Sequence, residues 1–314
     1  MAIRFDEIGR RLRAYRLGKN LTASEVADRI GVSRAAVYRL EKGELVKIDT
    51  LEKLSALLDV SLPSLLGVGV EYYNNSIAFF ERLRQIEESA VHMLGNFSPV
   101  SFLLMSDGYV DYLRLMLIEA LSQVQPEPES ASDMVDRLLD ILRERRASVA
   151  KRRTPIVSII NMHDVERFLR FGLVGRFDLP PDVVHERRQA ARAEFERFIA
   201  LLTRPPLGTQ VGIVEDAPSA QTFLVFDTYD GSVVTLSPYR LGDHPNITSG
   251  IAMVTSAPEA VRLFKGTIVE QWDRAHKGES GARILRAILD RVDGNGVLPL
   301  RSVALTGRRL ESKI

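Results

Sequence analysis

Cysteine is absent from this 314-residue chain. That excludes disulfides, thiolate metal sites and cysteine nucleophiles, and it agrees with a reducing compartment. No stretch approaches the ~18 uninterrupted apolar residues of a membrane span, so no membrane partner is expected. The opening residues MAIRFDEIGRRLR are charged and amphipathic, unlike the apolar centre of a signal peptide; the expected address is the cytoplasm. The five histidines, at 92, 163, 185, 244 and 276, lack the HExxH spacing that sets two ligands on one helix face. Neither a metal nor another cofactor is expected.

What is present belongs to an ordinary soluble globular protein: 45% hydrophobic and 26% charged residues, enough to bury a sizeable core. The length favours about two or three domains. A net charge of only +1 conceals an asymmetry. Residues 1–47 carry eleven Lys/Arg against six Asp/Glu, whereas the remainder carries 31 against 35. A basic head on a mildly acidic body suits a polyanion-binding module attached to something else.

The first 66 residues read as five short helices. Phe5, Ile8 and Leu12 mark an amphipathic first helix. Thr22-Ala-Ser-Glu25 is a capping box that opens the second, whose inward residues are Val26, Ala27 and Ile30. Gly31 ends it, tolerating the left-handed conformation of a tight turn. Ser33 caps a third helix with Val37 and Leu40 inward. Asp49-Thr-Leu-Glu52 opens a fourth, bearing Leu51, Leu54, Leu57 and Leu58, and residues 61–66 supply a fifth. Gly67-Val-Gly69 marks a boundary. Beyond it Val70, Tyr73, Ile77 and Phe80 recur at helical spacing, predicting a connecting helix within 67–89 that runs to about Glu88 and either pairs with a second subunit or lies on the next domain.

The run LTASEVADRIGVSRAAVYRLEKGE, from Leu21 to Glu44, resembles the Cro/C1-type (XRE family) helix-turn-helix. The small Ala27, the turning Gly31 and the anchoring Val37 and Leu40 carry the likeness, and the leucines at 51, 54 and 58 fit the family's five-helix plan. The resemblance covers residues 6–66, about a fifth of the chain. It implies a DNA-binding transcriptional regulator whose partner is a double-stranded operator. The family's second motif helix lies in the major groove, which here implies base contacts from Arg34, Ala35, Tyr38 and Arg39, with Ser33 at the cap. It also implies phosphate contacts from Arg16, Lys42 and the amides opening the first motif helix at Thr22, Ala23 and Ser24. Two features depart from the family. Ala23 stands where many relatives have glutamine, and residues 16–20 contain an extra residue or two, which bears on Arg16.

From residue 90 the pattern becomes mixed α/β. β-rich runs fall at 100–105, 156–160, 210–215, 222–227, 232–236 and 251–255, with Asp230-Gly231 a hairpin-turn signal. Helical segments fall near 107–123, 132–150, 163–172, 182–203, 257–276 and 279–291, and residues 125–130 form a polar loop. The expected plan is an all-α five-helix head (1–66), a connecting helix (67–89) and an α/β domain (90–314) with a mixed sheet flanked by helices.

A bare repressor needs little more than 70 residues, so the body is expected to dimerise and to sense a ligand. Ser256-Ala-Pro-Glu259 reads as a capping box after a strand, and the strand–cap–helix it opens resembles the closing element of effector-sensing domains in several regulators, some of them phospholipase-D-like. Catalysis finds little support. His276 and Lys277 are adjacent rather than spaced as His-x-Lys, no serine sits in a self-cleavage context beside the few lysines (151, 265, 277, 313), and GVGV at 67–70 lacks the frame of a dinucleotide loop. For a small, anionic effector the candidates are Arg153, Ser158, Arg176 and Arg240, polar groups at the ends of β-rich runs, with Asp216 after another. The opposing reading pairs Arg176 and Arg240 with Asp178 and Asp243. The reading is a homodimeric, effector-controlled regulator. Its rival is a ligand-independent regulator whose body only oligomerises or binds a protein partner.

Overall fold

The computed structural model describes residues 5–44, 47–97, 101–123, 131–215 and 222–294. The head contains α1 (Phe5–Gly18), α2 (Ala23–Ile30), α3 (Arg34–Glu41), α4 (Ile48–Leu58) and α5 (Leu62–Leu66). Its core is built from Ile8 and Leu12 of α1, Val26, Ala27 and Ile30 of α2, Val37 of α3, and Leu51, Leu54, Leu58 and Leu65. The expected turn is present: Gly31 closes α2 at φ 75°. Gly9 is required for a different reason. A Cβ there would lie 2.5 Å from the carbonyl oxygens of Leu40 and Glu41, so α1 touches the end of α3 backbone to backbone.

The body continues with β1 (Val70–Tyr73), α6 (Ser76–Ser89), β2 (Ala90–Phe97), a 3-10 turn (Phe102–Leu104), α7 (Tyr109–Leu121), α8 (Ala131–Arg152), β3 (Ile156–Asn161), α9 (Met162–Phe171), α10 (Pro181–Thr203), β4 (Thr209–Val214), β5 (Thr222–Thr228), β6 (Gly231–Ser237), β7 (Ala252–Thr255), α11 (Pro258–Arg274) and α12 (Gly278–Gly294). The strands form one mixed sheet in the order β1-β7-β6-β5-β2-β3-β4. The β2–β3 and β3–β4 pairs are parallel and the others antiparallel. Thr228 pairs with Gly231, which confirms the hairpin at Asp230-Gly231. One sheet face, with Met93, Ile160, Ile213 and Phe226, joins a large core with helix residues such as Phe80, Leu113, Leu138, Phe168, Phe195 and Leu285. The other face, with Ile159, Phe223, Val225 and Val234, is covered by α11 through Ile268, with Phe264 and Trp272 partly buried at its margin. Among the described residues no helix is long and apolar enough to cross a membrane.

Three expectations are corrected. The helix predicted through Val70 and Tyr73 starts only at Ser76; residues 70–73 are instead an edge strand antiparallel to β7. Val70 and Tyr73 keep the spacing of a helical stripe, but Glu71 and Tyr73 face inward along a strand of period two. The β-rich run at 100–105 is a 3-10 turn over its described part, while the missed strand of that region, β2, lies just before it. The capping box at 256–259 does not form. Ala257, not Ser256, is the N-cap of α11 with no side-chain cap, and separately Thr255 Oγ1 accepts from the Ala257 amide. The polar loop at 125–130 and Asp216 lie outside the described residues.

Candidate functional site

Two caps set the starts of α2 and α3. Thr22 Oγ1 accepts from the Glu25 amide at 3.2 Å while the Glu25 carboxylate accepts from the Thr22 amide at 2.7 Å. This reciprocal box fixes the start of α2 and leaves the amides of Ala23 and Ser24 at its open end. Ser33 Oγ accepts from the Ala36 amide at 3.1 Å and sets the start of α3. The first turn of α3 carries no acid of its own to offset the positive end of its helix dipole.

Arg34, Ala35, Tyr38 and Arg39 are all exposed on α3, at the one-, four- and five-residue offsets that share one helix face. Arg34 donates to Tyr38 Oη at 3.2 Å, its guanidinium 5.5 Å from the ring centre, which steadies both on the surface. Lys42 is the exposed C-cap residue of α3. Ala23 is buried, so a groove-facing contact there falls to its backbone. Arg16 is placed differently. It is buried and grips Glu41 with two hydrogen bonds, 2.5 and 3.0 Å, and donates a third to the Leu21 carbonyl at 2.9 Å. Its guanidinium fastens α1 to the end of α3 and to the entry of α2.

Behind the head lies a feature that sequence reasoning missed. Glu71 of β1 is buried and receives Arg11 Nε at 2.6 Å, Arg82 Nε at 2.9 Å and Tyr73 Oη at 2.7 Å. Arg82 also reaches Glu7 of α1 at 2.9 Å. Burial works against the Glu71 charge, but the Arg82 and Arg11 guanidiniums outweigh it and hold its carboxyl down at about 2. Tyr15 of α1 stacks on Tyr73 with ring centres 4.7 Å apart. A crevice of about 430 Å³ between head and body has Arg11, Glu71 and Arg82 in its wall. No short-range signal marks these residues, because Arg11 and Glu71 are 60 positions apart.

The four ligand candidates do not converge on one pocket. Arg153, exposed at φ 52°, ends α8 and lines an open groove of about 650 Å³ before β3. Ser158 is fully buried within β3, its Oγ without a hydrogen-bond partner. Arg176 is taken by Asp178 through two short hydrogen bonds at the surface, the pairing the opposing reading expects. Arg240 lies in the loop after β6, near Asp243, and is joined there by Arg167 of α9, which sequence reasoning did not single out. As for catalysis, the His276 ring lies between Ser280 Oγ and Glu215, each at 3.0 Å, while Lys277 turns away onto the Trp272 ring.

Comparison with known proteins bears on the head. Residues 12–65 match the helix-turn-helix family. The chain is 39% identical over 62 residues to the HTH-type transcriptional regulator SinR of Bacillus licheniformis, spanning 19% of this chain and 56% of that one. It is 39% identical over 61 residues to the HTH-type transcriptional regulator SinR of Bacillus subtilis (strain 168), spanning 19% and 55%. The chain thus covers little more than half the length of these curated relatives, within a fifth of its own. No solved structure matches it. The family match and the five-helix geometry make this segment a helix-turn-helix of the Cro/C1 (XRE) type.

Proposed function

We propose that the protein is a DNA-binding transcriptional regulator that reads an operator as a homodimer and is controlled by a small molecule bound in its body. The observation that carries this reading is the exposed face of α3, where Arg34, Ala35, Tyr38 and Arg39 stand together on a helix whose capped, acid-free N-terminus leads the way. Arginine there pairs bidentately with guanine, and the Ala35 methyl meets a thymine methyl. Lys42 and the opening amides of α2 hold phosphates and set register. Arg16 acts through Glu41 as a positioning residue that keeps α3 at its angle.

A single reading helix per chain is too small a reader for specific affinity, which supports a dimer on an inverted repeat with half-sites about 34 Å apart or a multiple of it. Footprinting on selected sequences is expected to give that spacing. Sedimentation showing only monomer at micromolar concentration, both free and on DNA, would refute it. Control from the body is supported by the joint behind the head: α1 is tied to β1 and α6 by buried ion pairs, so a change in the body is transmitted to the angle of the motif helices. A ligand-independent regulator would show no metabolite-induced change in operator affinity.

A further inference from the structure

Around Asp243 the body carries a second arginine cluster, and its hydrogen bonding is incomplete. Arg167 Nε lies 3.2 Å from the buried Asp243 carboxylate, while Arg240 Nη2 and His244 Nδ1 each lie 3.8 Å away. Arg167 is also 3.4 Å from Asp164. Only one of these approaches, Arg167 Nη2 to Asp243 at 3.4 Å, is a hydrogen bond. Arg240 Nε and Nη2, Arg167 Nε and His244 Nε2 are shielded from water and make no hydrogen bond, although Arg167 Nε and Arg240 Nη2 keep their ion-pair approach to Asp243. Burial, and next the like charge of Arg167, push the Arg240 guanidinium down from its ordinary value. Buried donors left unmet cost free energy, and folded proteins rarely gather several in one place.

The loop that gathers them is firmly built. Arg240 and Asn246 exchange backbone hydrogen bonds of 2.9 and 3.1 Å, and the Asn246 amide spans the carbonyls of Pro238 and Ser249. His244 holds a positive φ of 46° and anchors its amide on the Val174 carbonyl. Arg167 comes from α9, which leaves the C-terminal end of β3, the strand at the centre of the parallel part of the sheet. Crevices at such strand ends are where open sheets take ligands. Phe177, 63% exposed, stacks on the His244 ring at 3.9 Å and offers an apolar wall beside the cluster. The Arg240 and Arg167 side chains keep about a third of their surface exposed through their other atoms, so an anion meets the two guanidiniums from that open side.

We infer that Arg240, Arg167 and His244 form a binding site for a small molecule bearing a carboxylate or phosphate, its body lying against Phe177. The anion adds the negative charge and acceptors that Asp243 and Asp164 supply to these guanidiniums only in part. Arg176, expected from the sequence to share the site, is already held by Asp178 and lies outside it. As a binding site this stands by itself; as the effector site it rests on the reading in the preceding subsection.

Thermal melts of the full chain in sodium phosphate, sodium acetate and sodium chloride at matched ionic strength test it. Phosphate or acetate is expected to raise the Tm of the unsubstituted protein and of Arg176→Gln above the chloride value, and to leave Arg240→Gln unshifted. Which anion acts tells phosphate from carboxylate. In chloride, Arg240→Gln is expected to melt at or above the unsubstituted protein, because the charge it removes is disfavoured in the fold. Arg240→Lys keeps that charge without the fork and is expected to bind roughly tenfold more weakly. No shift with either anion, or a full shift retained in Arg240→Gln, would overturn the site. Operator titrations with and without the active anion form a separate arm. An intact thermal shift with unchanged operator affinity would uphold the site and remove only its role as effector.

Discussion

Two arginine clusters among the described residues differ in one respect. At the joint behind the head, Arg11 and Arg82 close on Glu71 at 2.6 and 2.9 Å, and a tyrosine hydroxyl completes the carboxylate. In the loop after β6, Arg167 and Arg240 approach Asp243 at 3.2 and 3.8 Å and leave donors unmet. A saturated cluster is a fastening: removing one member strands a buried charge. An unsaturated one keeps donors that a further acceptor would satisfy. On α3 a third set of arginines, Arg34 and Arg39, is exposed to solvent, which the proposed exchange of water for DNA requires.

The sharpest break in that contrast is Glu71→Ala. It leaves Arg11 and Arg82 buried without their carboxylate and is expected to cost ~3–5 kcal/mol in denaturant unfolding. A loss below about 1 kcal/mol would mean that the joint is not a fastening. Acid tests the same group. The Glu71 carboxyl is held at about 2 in the fold against 4.5 for an unperturbed glutamate. A depressed acid stabilises above its unfolded value, so its contribution is complete above about pH 4.5 and lost as pH falls toward 2. The linkage amounts to ~3 kcal/mol. Acid titration of stability in Glu71→Gln should lack that part of the slope.

The exposed arginines are next. Arg34→Ala is expected to cost about 1–3 kcal/mol on the cognate operator and to relax preference at one base pair per half-site. Lys42→Ala should instead weaken cognate and scrambled DNA alike and reduce the salt slope by about 1. Equal loss on all sequences for both variants would misplace the reading face. The smallest effect belongs to the unsaturated cluster. Without ligand, Arg240→Gln should change unfolding free energy by no more than about 0.5 kcal/mol, and not downward. A large destabilisation would make Arg240 another fastening.

Much of the head is written in local chemistry. Thr22 and Glu25, Gly31 and Ser33 each act within four residues, so their roles could be read before any contact was known, and the structure returns them as a box, a left-handed turn and a cap. The hairpin at Asp230-Gly231 is legible for the same reason. Strand β1 was not, because its Val70 and Tyr73 sit three apart and continue into the true helix at Ile77 and Phe80. What makes it a strand is pairing with β7, some 180 residues later. The box at 256–259 failed on the other side of this divide: its residues fit, but α11 begins one residue later, with Ala257 rather than Ser256 at the N-cap.

The sequence alone therefore determined the head, its caps, the outward side of α3 and the mixed sheet of the body, since these follow from periodicity, turns and short-range hydrogen bonds. Only the tertiary structure decided how arginines of similar appearance divide their tasks. Arg16 became a brace on Glu41, Arg11 and Arg82 a fastening on Glu71, Arg176 a surface pair, and Arg240 with Arg167 a cluster with incomplete hydrogen bonding. The reason is physical. A guanidinium's role depends on which acceptors the fold brings within about 3 Å and on how far water is excluded there, and neither is a property of neighbouring residues in the chain.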